Sequence, residues 1–246
     1  MPPAAWYMSV RDLMEIQTVA APRTEWQTRI DLAASYRLCA LYGWDDVIHT
    51  QITATLDEQP GFVLVKRSGQ RFDEVSASSL VKVATDLGAH AIHAAVHAAR
   101  PDAGCVMHLH NPNAIAVGMQ EQGLLPLSQH ALRLYGQLAY HDYEGALFGP
   151  LESARLVARL RARSAMLLRN HGSLVCGKSV AEAFVLMEAL DKACAIQLMA
   201  QASGARLFSP GPDVCRQAQV DLASDGEMEW AALLRKLDGI DGSYRS

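Results

Sequence analysis

The run Cys105-Val-Met-His108-Leu-His110-Asn-Pro112 constrains this chain more than any other stretch. Side chains alternate faces along a strand, so His108 and His110 share a face with Val106, while Cys105, Met107 and Leu109 line the other. Pro112 cannot continue a ladder and biases Asn111 toward extended backbone, which puts both imidazoles at the strand's exit. A third imidazole follows much later, in Arg169-Asn-His171-Gly172, where the glycine is expected to permit the turn that aims His171 inward. Two imidazoles on one face of a strand end and a third from a distant turn offer three neutral nitrogen donors with coordination positions left open. The pattern predicts a divalent ion that does chemistry rather than one that only staples the fold.

With 246 residues the chain is long enough for one large domain, expected over 23–246 behind a poorly patterned leader at 1–22. A net charge of −4 gives no reason to expect nucleic acid or an anionic membrane as partner. Arg155, Arg159, Arg161 and Arg163 stand near acids at helical spacing and read as a solvated face. No apolar run is long enough to span a membrane, and Arg11, Asp12 and Glu15 interrupt the N-terminal segment in a way no secretory signal does. The five cysteines are an odd number without CxxC spacing, several of them inside apolar segments. Reduced core thiols in a cytoplasmic protein follow from that, and none is a candidate nucleophile.

The periodicity predicts a helix over 24–41 with Thr24 as N-cap and Gly43 as its close. Strand-like pieces fall at 47–55 and 62–66, a helix over 79–100 that Pro101 stops, and another over 113–120. Residues 140–149 read as a loop, 151–162 as a helix, and 165–169 and 173–176 as short strands. Ser179-Val-Ala-Glu182 is a capping box that opens a long helix to about Ser203, with Gly204 as its stop. A last helix is expected over 229–237. Helices alternating with short strands, without a strict βαβ rhythm, suggest an αβα layer fold.

Several segments together resemble the class II aldolase/adducin family, in its bacterial adducin-like branch. They are Glu25-Trp-Gln-Thr-Arg-Ile-Asp-Leu-Ala-Ala-Ser-Tyr-Arg, Gly43-Trp-Asp-Asp, Phe72-Asp-Glu-Val-Ser-Ala-Ser-Ser-Leu-Val-Lys, Ala99-Arg-Pro-Asp, Tyr140-His-Asp-Tyr-Glu-Gly and the C-terminal Trp230-Ala-Ala-Leu-Leu-Arg. The resemblance covers nearly the whole chain. It implies an α/β fold of three αβα layers around a central, mainly antiparallel sheet. It also implies a fourfold-symmetric homotetramer with active sites between neighbouring subunits. The family's metal ligands fall on His108, His110 and His171. The tyrosine that a neighbouring subunit supplies as proton donor in the family's aldolases falls on Tyr143, ahead of Phe148-Gly149 across a longer spacer.

The departures matter as much. The sugar-phosphate aldolases carry an acid/base glutamate four residues before a histidine that matches His93, and here that position is Ala89. The serines that bind phosphate there are missing too, the chain is shortened between Lys82 and His90, and the Gly-Asn phosphate loop is replaced by Gly43-Trp-Asp-Asp. A phosphorylated sugar is therefore a poor substrate. His90, His93 and His97 form a helical stripe expected to be structural, with His93 able to orient a ligand. Asp142 and Glu144 are the nearest substitutes for the lost base in sequence, though loop carboxylates usually face water. Asp102 is expected to cap a turn, and Tyr244 to lie in a frayed tail.

Three imidazoles leave a cation its charge and open positions, where a hydroxy-carbonyl substrate can chelate and an enediolate be stabilised. The reading is a divalent-metal-dependent lyase, by aldol-type cleavage or decarboxylation, on an unphosphorylated hydroxy-carbonyl or hydroxy-acid compound. Zinc is the expected metal, with Fe(II) or manganese as alternatives. With Fe(II) the same face could serve an oxygenase acting on an aromatic or hydroxy-acid substrate. A third alternative is a non-catalytic scaffold of the adducin kind.

Overall fold

The computed structural model describes residues 23–85, 91–145 and 149–246. The first helix, α1 (Glu25–Leu41), starts where expected: the Thr24 hydroxyl accepts from the Gln27 N–H at 3.2 Å. Gly43 then turns the chain at a φ of +68° that a side chain would resist. Three strands follow as an antiparallel meander, β1 (Gln51–Thr55), β2 (Phe62–Val65) and β3 (Val81–Ala84). After α2 (Ala91–Ala99), β4 (Cys105–Leu109) returns to pair with β1. Then come α3 (Pro112–Gly118), α4 (Gln129–Arg133), β5 (Leu138–His141), α5 (Pro150–Leu160), β6 (Ala165–Leu168) and β7 (Gly172–Gly177). The long α6 (Val180–Ala202), capped by Ser179, leads to α7 (Pro212–Asp221) and α8 (Glu227–Asp238).

The seven strands make one sheet in the order β3-β2-β1-β4-β7-β6-β5. Every pairing is antiparallel except β5 with β6. The alternation along β4 divides the protein into layers. Cys105, Met107 and Leu109 pack with Leu32 and Leu38 of α1 and Phe184 and Met187 of α6. Val106 faces the other way, onto Ile92 and Val96 of α2 and Leu156 and Leu160 of α5. This is the expected three-layer α/β architecture with a mainly antiparallel sheet, and its two cores explain why β4 is buried along its whole length.

Several expectations are corrected. The helix expected over 79–100 begins as strand β3, because Val81-Lys82-Val83 alternates with period two and its β-branched residues fit a pleat. Of the expected 47–55 strand only Gln51 onward is extended. Asp46–His49 instead form a tight turn, with Val47 and Thr50 at positive φ. The 140–149 loop starts as the edge strand β5, and α4 and α7 are additional helices. Tyr244 is not frayed: it is fully buried, and its hydroxyl donates to Asp238 at 2.9 Å. Asp102 pairs with Arg100 at 2.8 Å. The leader at 1–22, the Ala89 and His90 positions, and Phe148 lie outside the described residues. All five cysteines are unpaired and buried, and burial pushes the Cys176 and Cys194 thiols up to about 12. No described helix is long and apolar enough to cross a membrane.

Candidate metal centre

The end of β4 and the start of β7 bring the three predicted histidines together. Ring centroids are 5.2 Å apart for His108 and His110, and 4.9 Å for each of these with His171. One ring nitrogen from each lies within 4.8 Å of the others. The turn that aims His171 is made differently from the expectation. Asn170 takes the left-handed conformation, at φ 60°, a role asparagine fills better than most residues. Gly172 has another purpose: a Cβ there would lie 2.3 Å from the Leu109 carbonyl oxygen and 3.1 Å from His110 Cδ2. The glycine lets β7 close on β4.

The far nitrogens of two rings are already committed. His108 Nδ1 lies 3.0 Å from the Ser173 carbonyl oxygen, which can only accept, so Nδ1 carries the proton. His110 Nδ1 likewise donates to the Asp46 carboxylate at 2.8 Å. In the neutral rings both Nε2 atoms are then lone-pair donors, the tautomer a metal ligand needs. His110 Nε2 is buried and reaches no hydrogen-bond partner among the described residues. Burial, and then the neighbouring His110, push His171 down to about 4, so its ring is neutral near pH 7. These donors fit a divalent cation such as zinc or Fe(II). Asp46→Ala should weaken metal retention about 10- to 100-fold by freeing the His110 ring, measured by chelator competition. Asp46→Asn, which keeps an accepting oxygen, should lose less, and equal retention in wild type and both variants would refute the orienting role.

A buried polar frame holds this strand end. The Ser173 hydroxyl donates to Asn111 Oδ1 at 2.7 Å, and the Asn111 amide donates to Asp191 of α6 at 3.0 Å. Asn113 also reaches Asp191, at 3.2 Å. Beside the triad, Thr53 Oγ1 sits 2.8 Å from both His93 Nδ1 and His97 Nε2, while His97 Nδ1 donates to the Ala103 carbonyl at 3.1 Å. The carbonyl sets the sequence of donors: Thr53 donates to His97 and accepts from His93, so neutral His93 carries its proton on Nδ1. The expected structural role of His93 and His97 therefore has a definite form.

Burial pushes His97 down to about 4, against an ordinary value of 6.5. The unfolded chain takes up that proton first, so stability is full above about pH 6.5 and is lost as pH falls toward 4, by on the order of 3 kcal/mol for His97. Thermal melts of metal-free protein from about pH 7 to about pH 5 should show Tm falling steadily. A flat Tm over that interval would contradict a neutral buried His97.

The triad opens on a cavity of about 790 Å³, also lined by His93, Thr53, Val83 and Lys66. Lys66 is 5% exposed and donates to the Ile48 carbonyl at 2.8 Å, and burial lowers its pKa. Tyr143 is half exposed and stands edge-on to His171 of its own chain, with ring centroids 6.2 Å apart. Its neighbours do not simply face water: Asp142 pairs with Arg159 at 2.7 Å, and Glu144 accepts from Arg155 at 2.9 Å. Arg155 and Arg159 thus belong to a paired surface. Asp46, Asp191 and Lys66 are contributions that sequence reasoning missed. Asp46 lies within Gly43-Trp-Asp-Asp, but nothing local marks it as a partner of His110.

Residues 30–198 match the family described as Class II Aldolase and Adducin N-terminal domain. A Pseudomonas aeruginosa protein assigned provisionally by name to aldolase class 2 is 44% identical over 241 residues, covering 90% of this chain and 93% of its own. Alpha-adducin of Rattus norvegicus is 36% identical over 268 residues, covering 96% of this chain but only 36% of its own length. The crystal structure of an aldolase II superfamily protein from Pseudomonas syringae superposes with a TM-score of 0.86 at 39% identity, covering 93% of this chain and 98% of that one.

Proposed function

The chain belongs to the class II aldolase and adducin family, and from that premise we propose that it is a divalent-metal-dependent lyase acting on an unphosphorylated hydroxy-carbonyl or hydroxy-acid compound. The observation that carries this reading is the convergence of His108, His110 and His171 on one point, with two of their Nδ1 atoms already bonded elsewhere. A protein that used the fold only as a scaffold has no need for that alignment. When bound, a divalent ion there supplies Lewis acidity to a carbonyl oxygen that gains charge as a neighbouring bond breaks.

The chain's own residues divide the remaining work. Lys66 offers a largely buried ammonium in the same cavity, suited to a substrate carboxylate. Asp46 puts a carboxylate at the triad's edge, which disfavours a dianionic phosphate nearby. Tyr143 stands edge-on to His171, and in this reading its hydroxyl returns a proton to the carbon left after cleavage. Residues of β1, β2 and α2 line the cavity beside the triad, where a substrate would bind. Two further parts of the reading are cytoplasmic residence and a homotetramer.

The test is a screen of unphosphorylated hydroxy-carbonyl and hydroxy-acid compounds with zinc-loaded protein and, separately, with protein loaded anaerobically with Fe(II), following product release and dissolved oxygen together. Cleavage without oxygen uptake is expected, and it should stop when a chelator strips the protein. Cleavage that consumes oxygen stoichiometrically would replace the lyase with an iron oxygenase. Metal retention indifferent to loss of the triad would remove the basis for either.

A further inference from the structure

The second place where metal-ligating side chains converge is the junction of β5 and α5. His141 ends β5, Glu144 follows in the loop, and Glu152 lies in the first turn of α5. One donor atom from each falls within 4.8 Å of the others. His141 is 2% exposed and Glu152 is 6% exposed. Neither ring nitrogen of His141 reaches a hydrogen-bond partner among the described residues, and the adjacent Ser153 hydroxyl has none either. Unsatisfied buried polarity of this density is costly, and a buried carboxylate without compensation costs more.

Two agents could compensate: a proton on His141, or a cation shared by all three side chains. The distances separate them. His141 Nε2 lies 3.8 Å from Glu144 Oε1 and 3.7 Å from Glu152 Oε1. A charged imidazolium N–H···O bond closes to about 2.7–2.9 Å, so these contacts are almost an ångström too long. Donors about 2.1 Å from a common ion stand roughly 3.4 Å apart when tetrahedral and about 4.2 Å when opposite, which brackets both values. The charges suit an ion as well. Two carboxylates and a neutral imidazole carry two negative charges, of which Arg155 offsets one, its Nε lying 2.9 Å from Glu144 Oε2 and 3.0 Å from Oε1, so one negative charge is left for an ion to balance.

We infer that His141, Glu144 and Glu152 form a second divalent-cation site, separate from the histidine triad, that pins the loop carrying Tyr143. One imidazole with two carboxylates favours Mn²⁺, Fe²⁺, Co²⁺ or Zn²⁺ over Ca²⁺ and Mg²⁺, which prefer oxygen alone. Residues 142–145 leave β5 immediately after His141, so an ion on Glu144 fixes the segment that sets the Tyr143 ring against His171. The site is structural in effect, and its occupancy decides how firmly that ring is held.

The experiment is equilibrium dialysis of the full chain against Co²⁺ near pH 7.5. Four proteins are compared: wild type, Glu152→Gln, the variant with His108, His110 and His171 all changed to alanine, and the combination. About two ions per chain are expected for wild type, about one for each of the next two, and none for the combination. Glu152→Gln binding as much as wild type would overturn the inference, as would a triad variant that binds nothing. If Glu152→Gln fails to fold, as judged by circular dichroism, the exposed Glu144→Gln carries the same test. The two sites fail separately. A single ion lost with the triad leaves the proposed function standing and removes this site; a single ion lost with Glu152 does the reverse.

Discussion

Changing His108, His110 and His171 together to alanine is expected to lower metal content by one ion per chain and to abolish turnover to within the limit of detection. The ion's stabilisation of transition-state charge is worth several kcal/mol, and each 1.36 kcal/mol is tenfold, so a loss of about a thousandfold or more follows. The variant should still fold. The rings lie at the end of the sheet, and the apolar contacts of both cores are untouched. Some stability goes, because the buried Ser173 carbonyl loses its partner, at about 1–3 kcal/mol for a buried group left unpaired, whereas the Asp46 carboxylate, 46% exposed, turns to water. Metal analysis after exhaustive dialysis, alongside a thermal melt, separates the two effects. A variant that keeps its full complement of metal would mean that the ion sits elsewhere.

Removing one oxygen from Tyr143 should be the next most damaging change. Tyr143→Phe keeps the ring and its edge-on contact with His171, so folding and metal content should match wild type. Only the hydroxyl is lost. If that hydroxyl moves the proton, kcat should fall about a hundredfold or more with KM little altered, the usual scale for a positioned acid. If the ring merely packs over the triad, phenylalanine will serve as well and kcat will not move. The contact lies within one chain, whereas the family resemblance pointed to a tyrosine from a neighbouring subunit.

The triad was legible because it rests on local rules. Alternation along β4 set the face of His108 and His110, and Pro112 set the strand's end. Helices α1 and α6 were legible for the same reason, through Thr24 and Ser179 at their N-caps. Strand β3 was not, because Val81–Ala84 is short and runs toward an alanine-rich segment whose pattern favours helix. The positioning partners were hidden for a different reason. Asp46 meets His110 across 64 residues, and Asp191 meets Asn111 across 80. No periodicity encodes such a pairing, since it depends on where the sheet brings two segments. Tyr244 shows the same limit at the C-terminal end: its sequence looks like a tail, and only its docking beside α1 and α8 makes it core.

Gly172 has a consequence for which ions the protein can accept. Backbone of β7 lies so close to the Leu109 carbonyl that not even a methyl group fits between them. The imidazoles on either side are therefore mounted on a crossing that cannot spread without breaking the ladder from Leu109 to Ser173. The donors behave as a gauge of set bore. A small ion that bonds nitrogen at about 2.0–2.1 Å seats without deforming the sheet. A larger ion that wants six to eight oxygens at about 2.3–2.6 Å finds too few donors and no give in the frame. A backbone contact would thus add rigidity to the selectivity that three imidazole donors exert by their number and kind, and a residue bulkier than glycine at 172 would be expected to loosen it.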